Sequence, residues 1–166
     1  VLRHETLRTS FPMVNGQPVQ RIADSIEYRL ARGDLSELGA DEQESEVLCL
    51  ARAEAERPFD LAVGPLFRGV LVRVSDREHV LLVTMHHIVS DGWSMGVFFG
   101  ELTALYAAFS ANKASPLEAL AIQYADFTAW QRNWLSGDAL ERQVSYWRQQ
   151  LANLSPLDLP TARARS

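Results

Sequence analysis

The chain has 166 residues, of which 47% are hydrophobic and 22% are charged, so it is long enough to form one domain with its own core. This composition is typical of a globular protein and argues against a disordered or membrane-spanning chain. The net charge of −5 argues against nucleic acid or an anionic membrane as the main partner.

The chain ends and its one cysteine indicate a fragment of a cytoplasmic protein. The chain lacks an initiator Met and a signal peptide, and its first residues read as the middle of an element, so we expect a piece of a longer protein. Cys49 cannot form an internal disulfide, which fits a reducing compartment.

The first third of the chain predicts short strands. Val1–Phe11 reads as the end of a helix that leads into a strand, and Asn15-Gly16 predicts a hairpin between Met13-Val14 and Val19–Ile22. Apolar residues then alternate as in a further strand, which Gly33-Asp34 ends. The alternating residues are Ile26, Tyr28 and Leu30.

A helix is predicted next. Asp41 and Glu44 have the spacing of a capping box, and Pro58 stops the helix. Cys49 lies in this segment and is expected to be inert, because nothing basic surrounds it. The residues expected to be buried are Val47, Leu48, Ala51 and Ala55.

The central feature is an antiparallel hairpin formed by Phe67–Val74 and His79–Met85. Val80–Val83 and Met85 are apolar on both parities, which favours a strand covered on both faces. His79 opens the second strand and is assigned no role. The hairpin therefore delivers whatever follows Met85 to one edge of the sheet.

Helices follow the hairpin. One helix is predicted over Trp93–Ala111, with an apolar face formed by Phe98, Leu102, Leu105 and Phe109. Asn112–Pro116 reads as a linker. Two further helices, separated by Gly137-Asp138, carry aromatic residues that we interpret as core packing. Their periodic residues are Tyr124, Phe127, Gln131 and Trp134, then Leu140, Val144, Trp147 and Leu151.

Two adjacent histidines, His86 and His87, end the apolar strand and precede the turn signal Asp91-Gly92. Neighbouring side chains on a strand point to opposite faces, so only one histidine can face a given cavity. A neutral imidazole can accept a proton or a hydrogen bond from a reacting group near pH 7. The alternative is a satisfied core histidine, but the position at a strand end beside a tight turn favours catalysis.

Asp91 at this turn has two candidate roles, as a brace for the loop and as a metal ligand. We expect Asp91 to brace the loop by accepting either an arginine or backbone donors. His86, His87 and Asp91 also have the chemistry of a metal-ligand set. Adjacent strand histidines diverge, however, and Cys49 is distant in sequence, so we disfavour a metal.

Three stretches resemble, in order, the motifs of the condensation domains of nonribosomal peptide synthetases, which belong to the HHxxxDG acyltransferase superfamily. Arg3–Phe11 (RHETLRTSF) is similar to RHxxLRTxF, His86–Gly92 (HHIVSDG) to HHxxxDG, and Tyr124–Arg132 (YADFTAWQR) to YxDFAxWQR. Arg57–Leu66 (RPFDLAVGPL) resembles the segment that enters the central hairpin. Leu157–Arg165 (LDLPTARAR) resembles the linker to the second lobe.

The resemblance implies an α+β fold, the chloramphenicol-acetyltransferase-like α/β sandwich, with a mixed, largely antiparallel sheet packed with helices. Residues 1–166 are then most of the N-terminal lobe of a partial condensation domain, ending at the inter-lobe linker. The family's tunnel lies between two lobes, so the isolated fragment is expected to be inactive.

The implied reaction is amide formation, in which the amine of an acceptor aminoacyl thioester attacks the carbonyl of a donor peptidyl thioester. His87 is expected to face the tunnel as a general base or a positioning group, while His86 points into its lobe and stiffens the loop. Asp91 is expected to be a buried anion that holds an arginine, and Gly92 a turn that brings the backbone close.

Arg3 and Arg8 are expected to support the site. We expect one of them to be partly buried and to bind a carboxylate in a fork-like manner, with Asp91 as one possible partner. The family's arginine for this Asp can also lie outside the chain.

The implied partners are the donor and acceptor peptidyl carrier protein domains, an adjacent adenylation domain and the missing C-terminal lobe. The substrates ride on 4'-phosphopantetheine arms of the carrier domains, and no cofactor or metal is expected in this domain itself. The process would be secondary metabolite and antibiotic biosynthesis. Ser90, Trp93-Ser94 and Pro160-Thr161 resemble the subtype that accepts a D-configured donor.

Two alternatives stay open. One is a noncatalytic relative that serves as a docking platform for partner enzymes; such domains tend to lose the second histidine, which His87 argues against. The other is a stand-alone acyltransferase of small alcohols or amines, which RHETLRTSF and YADFTAWQR disfavour.

Overall fold

The computed structural model describes residues 1–155, which form two compact units, one over Val1–Tyr124 and one that begins at Ala125. A 3-10 helix at Glu5–Arg8 precedes the first strand. The strands are β1 (Thr9–Ser10), β2 (Met13–Val14), β3 (Gln17–Pro18), β4 (Arg21–Ile22), β5 (Ala31–Asp34), β6 (Phe67–Arg73) and β7 (His79–Met85). The helices are α1 (Ala40–Glu56), α2 (Gly92–Ser110), α3 (Tyr124–Trp134) and α4 (Gly137–Gln150).

The main sheet has the order β5-β6-β7, with β5 parallel to β6 and β6 antiparallel to β7. The predicted central hairpin is confirmed, and its register pairs Phe67 with Met85. Leu66, Phe67 and Val72 are buried here. No residue of β7 is fully buried, however, and Leu81 is 37% exposed. The expectation of a strand covered on both faces is therefore wrong within residues 1–155.

Helix α1 is held to both ends of β6 by two polar side chains. At one end, Arg68 Nε donates to Glu54 Oε2 at 2.8 Å. At the other, Gln43 Nε2 donates to the carbonyls of Leu35 at 3.0 Å and Val74 at 2.8 Å. These bonds fix the helix along the sheet without deep apolar burial, because Leu48 of α1 is 53% exposed rather than buried as expected.

The segment before β5 packs two of its side chains, Tyr28 and Leu30, against β6. The ring of Tyr28 stacks on Phe67, with centroids 4.5 Å apart. A Cβ at position 69 would lie 2.9 Å from Leu30 Cδ1 and 3.0 Å from the Tyr28 hydroxyl, so only glycine fits there. The predicted strand over residues 26–30 is wrong, because Tyr28 and Leu30 lie against Gly69 and the strand begins at Ala31.

The predicted turn at Asn15-Gly16 is confirmed, but the second strand of its hairpin is Gln17–Pro18 and not Val19–Ile22 as expected. Asn15 has φ of 52° and Gly16 has φ of 75°, the left-handed pair that a tight two-residue turn requires. The turn joins β2 to β3, and β4 then pairs with β1.

The capping prediction for α1 is wrong by two residues. The backbone N–H of Gly39 donates to Glu42 Oε2 at 3.2 Å, so the same three-residue spacing operates two residues earlier than in the pair Asp41 and Glu44. Glycine satisfies the extended backbone of an N-cap position as well as most residues do.

Helix α2 matches its predicted bounds within one residue, but few of its apolar side chains are covered by other elements of the described chain. Its sequence is apolar around the whole circumference, and many of its large side chains are exposed among the described residues. The exposed ones are Trp93, Val97, Phe99, Tyr106 and Phe109. No helix within residues 1–155 is long and apolar enough to cross a membrane.

The second unit contains α4 and most of α3, both at the predicted positions. Trp130 and Trp134 stack along α3, with centroids 5.9 Å apart, and an open groove between the two helices is lined by Trp134 and Trp147. These rings are more than half exposed within the described residues, so the expected core packing is absent there. The predicted linker at Leu157–Arg165 lies outside the described residues.

We expect the purified 166-residue chain to self-associate, because the exposed apolar surface of α2 favours contact with another copy. Sedimentation velocity over a range of concentrations measures this directly. The double variant Tyr106→Ser/Phe109→Ser should associate less, whereas Arg29→Ser, on an exposed ion pair, should behave like the parent. A parent chain that stays monomeric at every concentration would contradict this expectation.

Candidate active site

The candidate active site is the turn that follows β7. The backbone N–H of His86 donates to the Leu66 carbonyl at 2.9 Å, which continues the hairpin pairing by one residue. The chain then reverses, because the His86 carbonyl accepts from the N–H of Val89 at 3.0 Å and from the Ser90 hydroxyl at 3.2 Å. The histidines therefore sit just past the strand, in a turn whose backbone is bonded to itself.

His86 is held on the inner side of the turn. Its ring lies edge to face with Phe59, with centroids 5.9 Å apart and an angle of 86° between the planes. Its Nδ1 lies 3.0 Å from the backbone N–H of Ile88, which can only donate. Nδ1 must therefore carry the lone pair, and a neutral His86 bears its proton on Nε2.

His87 is exposed and has the opposite tautomer. Its Nδ1 lies 3.0 Å from the carbonyl oxygen of Ser90, which can only accept. Nδ1 must therefore carry a proton, and a neutral His87 keeps its lone pair on Nε2. Among residues 1–155 no group bonds to that nitrogen. The turn thus presents an open imidazole nitrogen that is ready to accept a proton.

Asp91 caps helix α2. Its Oδ1 accepts from the backbone N–H of Ser94 at 2.8 Å and from the Ser94 hydroxyl at 2.5 Å. The hydroxyl bond, followed by the backbone bond, lowers the pKa of Asp91 below its ordinary range. Of the two kinds of partner expected for Asp91, the described residues supply the backbone donor.

The expected burial of Asp91 and its arginine partner are not found within residues 1–155, and an arginine from the rest of the domain stays a prediction. Asp91 is exposed, and no arginine within the described residues pairs with it. A Cβ at Gly92 would meet nothing within 4 Å, so no close backbone approach is found at this glycine either. Both residues serve here to start α2 directly behind the histidine turn.

Arg3 instead binds a carboxylate that the sequence reasoning missed. Arg3 Nε donates to Glu101 Oε1 at 2.9 Å, and His4 Nε2 lies 2.7 Å from Glu101 Oε2. All three side chains are partly buried. Gln123 adds a bond from its Nε2 to the Arg3 carbonyl at 3.0 Å. The cluster ties the first motif of the chain to the helix behind the histidine turn.

Glu101 was detectable in the sequence. It is the only charged residue of α2, and a lone carboxylate on an apolar helix requires a partner. Burial alone would raise its pKa, but hydrogen bonds from His4 and Arg3 outweigh burial and lower it.

Arg8 lies away from the histidine turn. Its Nη2 is 3.2 Å from Glu5 Oε1, and its Nη1 donates to the Ala23 carbonyl. It therefore holds the 3-10 helix to the residue that follows β4. One of Arg3 and Arg8 was expected to bind a carboxylate in a fork-like manner; both have carboxylate partners, but each is bound through a single nitrogen and neither partner is Asp91. The described residues contain no cluster of three or more His, Cys, Asp or Glu that is suited to a metal ion.

Comparison with known proteins gives the family. A family profile described as "Condensation domain" matches residues 1–166. The chain is 48% identical over 164 residues to a linear gramicidin synthase of Brevibacillus parabrevis, covering 98% of this chain and 2% of that protein. The chain therefore belongs to the condensation domain family, as the three motifs predicted.

Solved structures confirm the predicted chloramphenicol-acetyltransferase-like α+β fold. The X-domain in the complex of X-domain and OxyB from teicoplanin biosynthesis matches with a TM-score of 0.85 and 34% identity, over 99% of this chain and 36% of that chain. The epimerization domain from the third module of tyrocidine synthetase B matches with a TM-score of 0.83 and 25% identity, over 98% and 37%. The chain thus spans little more than a third of these solved chains.

The Glu101 cluster should make stability depend on pH. The pKa of Glu101 is lowered in the folded state, so its contribution to the free energy of unfolding is present at pH values above its ordinary pKa of 4.5. This contribution is lost as the pH falls through the pKa of the folded state. In the complete domain, Glu101→Gln should lower the free energy of unfolding by about 1 kcal/mol at pH 7. The difference in the free energy of unfolding between this variant and the parent should shrink toward about pH 3.

Urea unfolding of both proteins between pH 7 and pH 3 measures this difference. The exposed Glu118 provides a matched control, since Glu118→Gln should change stability little at any pH. A difference for Glu101→Gln that stays constant with pH would contradict the assignment.

Proposed function

We propose that the chain is part of a condensation domain that joins two thioester-bound substrates through an amide bond, and that it forms most of the N-terminal lobe of that domain. The observation that carries the proposal is the bond from His87 Nδ1 to the Ser90 carbonyl, because in the neutral ring it leaves the lone pair on the exposed Nε2. Membership of the family supplies the class of reaction.

The proposed step starts with the amine of the acceptor aminoacyl thioester. Its nitrogen attacks the carbonyl carbon of the donor thioester, a C–N bond forms, and the C–S bond breaks to release the donor thiol. One amine proton is lost in this step, and the departing sulfur is protonated in return. His87 Nε2 either accepts the amine proton or orients the amine, and both roles place it about 3 Å from the nitrogen.

The other residues of the turn prepare His87 for this role. His86 stiffens the turn from the inside, because its ring contacts Phe59 and its Nδ1 binds Ile88. Asp91 and Gly92 begin α2 and so fix where the turn ends. Arg3 acts through Glu101 on the same helix, and Arg8 acts on the adjoining 3-10 helix. These are structural contributions.

The proposed partners follow from the reaction. Donor and acceptor carrier domains present the substrates on phosphopantetheine arms, an adenylation domain activates the acceptor amino acid, and a second lobe closes the tunnel. The domain itself is proposed to need no cofactor. With Cys49 as its single cysteine, the chain is suited to the reducing cytoplasm, the compartment that we propose for it.

A noncatalytic docking role is the second candidate, and the likeness to an X-domain solved in complex with OxyB favours it. The exposed Nε2 of His87 favours catalysis, since a docking platform does not require a defined imidazole tautomer. The two candidates differ in the effect of removing this ring.

Replacing His87 should abolish most of the amide formation. In the complete condensation domain, His87→Ala should lower the single-turnover rate by about a hundredfold or more, the usual contribution of a proton-transferring side chain. His86→Ala should cost about tenfold at most, because that ring acts only through the turn. Rapid-quench assays with carrier-bound donor and acceptor measure both rates.

Equal losses in the two variants at equal folded yield would reject the assignment of His87. Circular dichroism and melting temperatures provide the folding control. If neither variant changes the rate of a parent domain that forms amide, the reaction does not use this turn. If the parent forms no amide with any carrier-bound pair of substrates, the noncatalytic docking role is favoured.

The 166-residue chain alone should form no amide, because half of the tunnel wall would be missing. The same rapid-quench assay with carrier-bound substrates tests this, with the complete domain as the positive control. Product from the isolated chain at a rate near that of the complete domain would overturn the idea that two lobes are needed.

A further inference from the structure

Residues 57–66 contact the inner side of the histidine turn, and the role of this segment in the proposed function is limited to the packing of Phe59 on His86. Two of its members touch His86 directly: the Phe59 ring packs edge to face against the imidazole, and the Leu66 carbonyl accepts from the His86 N–H. The inner side of the turn is therefore shaped by this segment.

One side chain, Arg68, holds that segment in place. Its Nη2 donates to the carbonyls of Glu54 and Arg57, each at 2.8 Å, and its Nη1 lies 3.4 Å from the Pro58 carbonyl. Its Nε donates to the Glu54 carboxylate at 2.8 Å. The side chain is only 14% exposed. A single guanidinium thus closes the C-terminal end of α1 and binds the backbone that leads to Phe59.

The same guanidinium also stacks on Phe59. The Cζ atom of Arg68 lies 3.8 Å from the centroid of the Phe59 ring, the distance of a close cation–π contact. Phe59 is therefore held between two partners, with Arg68 over its ring and His86 perpendicular to it. Hydrogen bonds to the backbone at Arg57 and Pro58 limit how far this ring can move.

The contacts form one continuous path from the sheet to the site. Arg68 fixes Phe59, Phe59 packs against the ring of His86, and His86 Nδ1 accepts from the N–H of Ile88. The residue between these two positions is His87. A shift of Phe59 would release the ring of His86, free the N–H of Ile88 and loosen the turn that presents His87 Nε2.

We propose that Arg68 is a positioning residue for the acyl-transfer site and acts through Phe59 and His86 on the turn that carries His87. The inference rests on the proposed function for its effect on rate, but its effect on the ring of His86 is independent of that function. Lysine cannot replace arginine here, because an ammonium neither stacks as a plane nor reaches three carbonyls and a carboxylate at once.

A purely structural role for Arg68 makes a different prediction. If Arg68 only closes α1, its loss lowers the melting temperature, and the folded molecules that remain react at the parent rate with an unchanged His86 tautomer. If Arg68 positions the turn, the folded variant reacts more slowly and the proton of His86 is no longer confined to Nε2.

The experiment uses the complete condensation domain with the variants Arg68→Lys, Phe59→Leu and the two combined. Arg73→Lys is the matched control, because Arg73 lies on the same strand and forms only exposed ion pairs with Asp34 and Asp76. Single-turnover amide formation is measured per folded molecule, together with the dependence of the rate on acceptor concentration.

We expect Arg68→Lys and Phe59→Leu each to lower the maximal single-turnover rate about fivefold, because a small misplacement of a reacting group is costly. The acceptor concentration at half-maximal rate should change little. The double variant should lose no more than the larger single loss, because both changes break one path. Arg73→Lys should react like the parent.

The second readout is the tautomer of His86, followed by long-range nitrogen–proton spectra of the domain labelled with ¹⁵N-histidine and assigned with His86→Ala. The parent should show a proton on Nε2 of His86, and Arg68→Lys should show a mixture of both tautomers. A lower melting temperature with an unchanged tautomer and an unchanged rate would overturn the proposal. If the parent forms no amide, the proposed function fails, and the tautomer alone decides the role of Arg68.

Discussion

The hydrogen bond from His87 Nδ1 to the Ser90 carbonyl is the contact on which the proposed chemistry depends. Without it, the proton of a neutral imidazole moves between two nitrogens, and the open nitrogen is a base for only part of the time. The bond is possible only because the chain reverses directly after β7 and brings residue 90 back over residue 87. The site is thus made by a turn, and the rest of the unit serves to hold that turn.

Three supports reach the turn from different directions. The hairpin of β6 and β7 brings His86 to Leu66, and Arg68 with Phe59 packs beneath the inner histidine. Asp91 closes the turn on the other side, where it caps α2. That helix is in turn tied to the first motif through Glu101. The first two motifs, which lie far apart in the sequence, thus meet around one helix and one strand.

Sequence reasoning succeeded where the signal is local. Asn15-Gly16 predicts its turn because few residues adopt positive φ, and β7 follows from the apolar residues Val80–Val83 and Met85. Sequence reasoning failed where a residue distant in the sequence determines the local structure or the bonding partner. Ile26, Tyr28 and Leu30 alternate in sequence, but Tyr28 and Leu30 pack against β6 at Gly69, and the strand begins only at Ala31. The partner of Arg3 could not be chosen between Asp91 and other carboxylates before the fold brought Glu101 to it.

The sequence by itself determined the family, the two histidines and the order of the elements around them, because motif spacing and periodicity are properties of neighbouring residues. Only the tertiary structure decided which histidine is held inward, which nitrogen of each neutral ring carries the proton, and that Asp91 caps the start of α2. Those outcomes depend on single hydrogen bonds to backbone atoms, and the position of a backbone carbonyl or N–H is known only once the chain has folded around it.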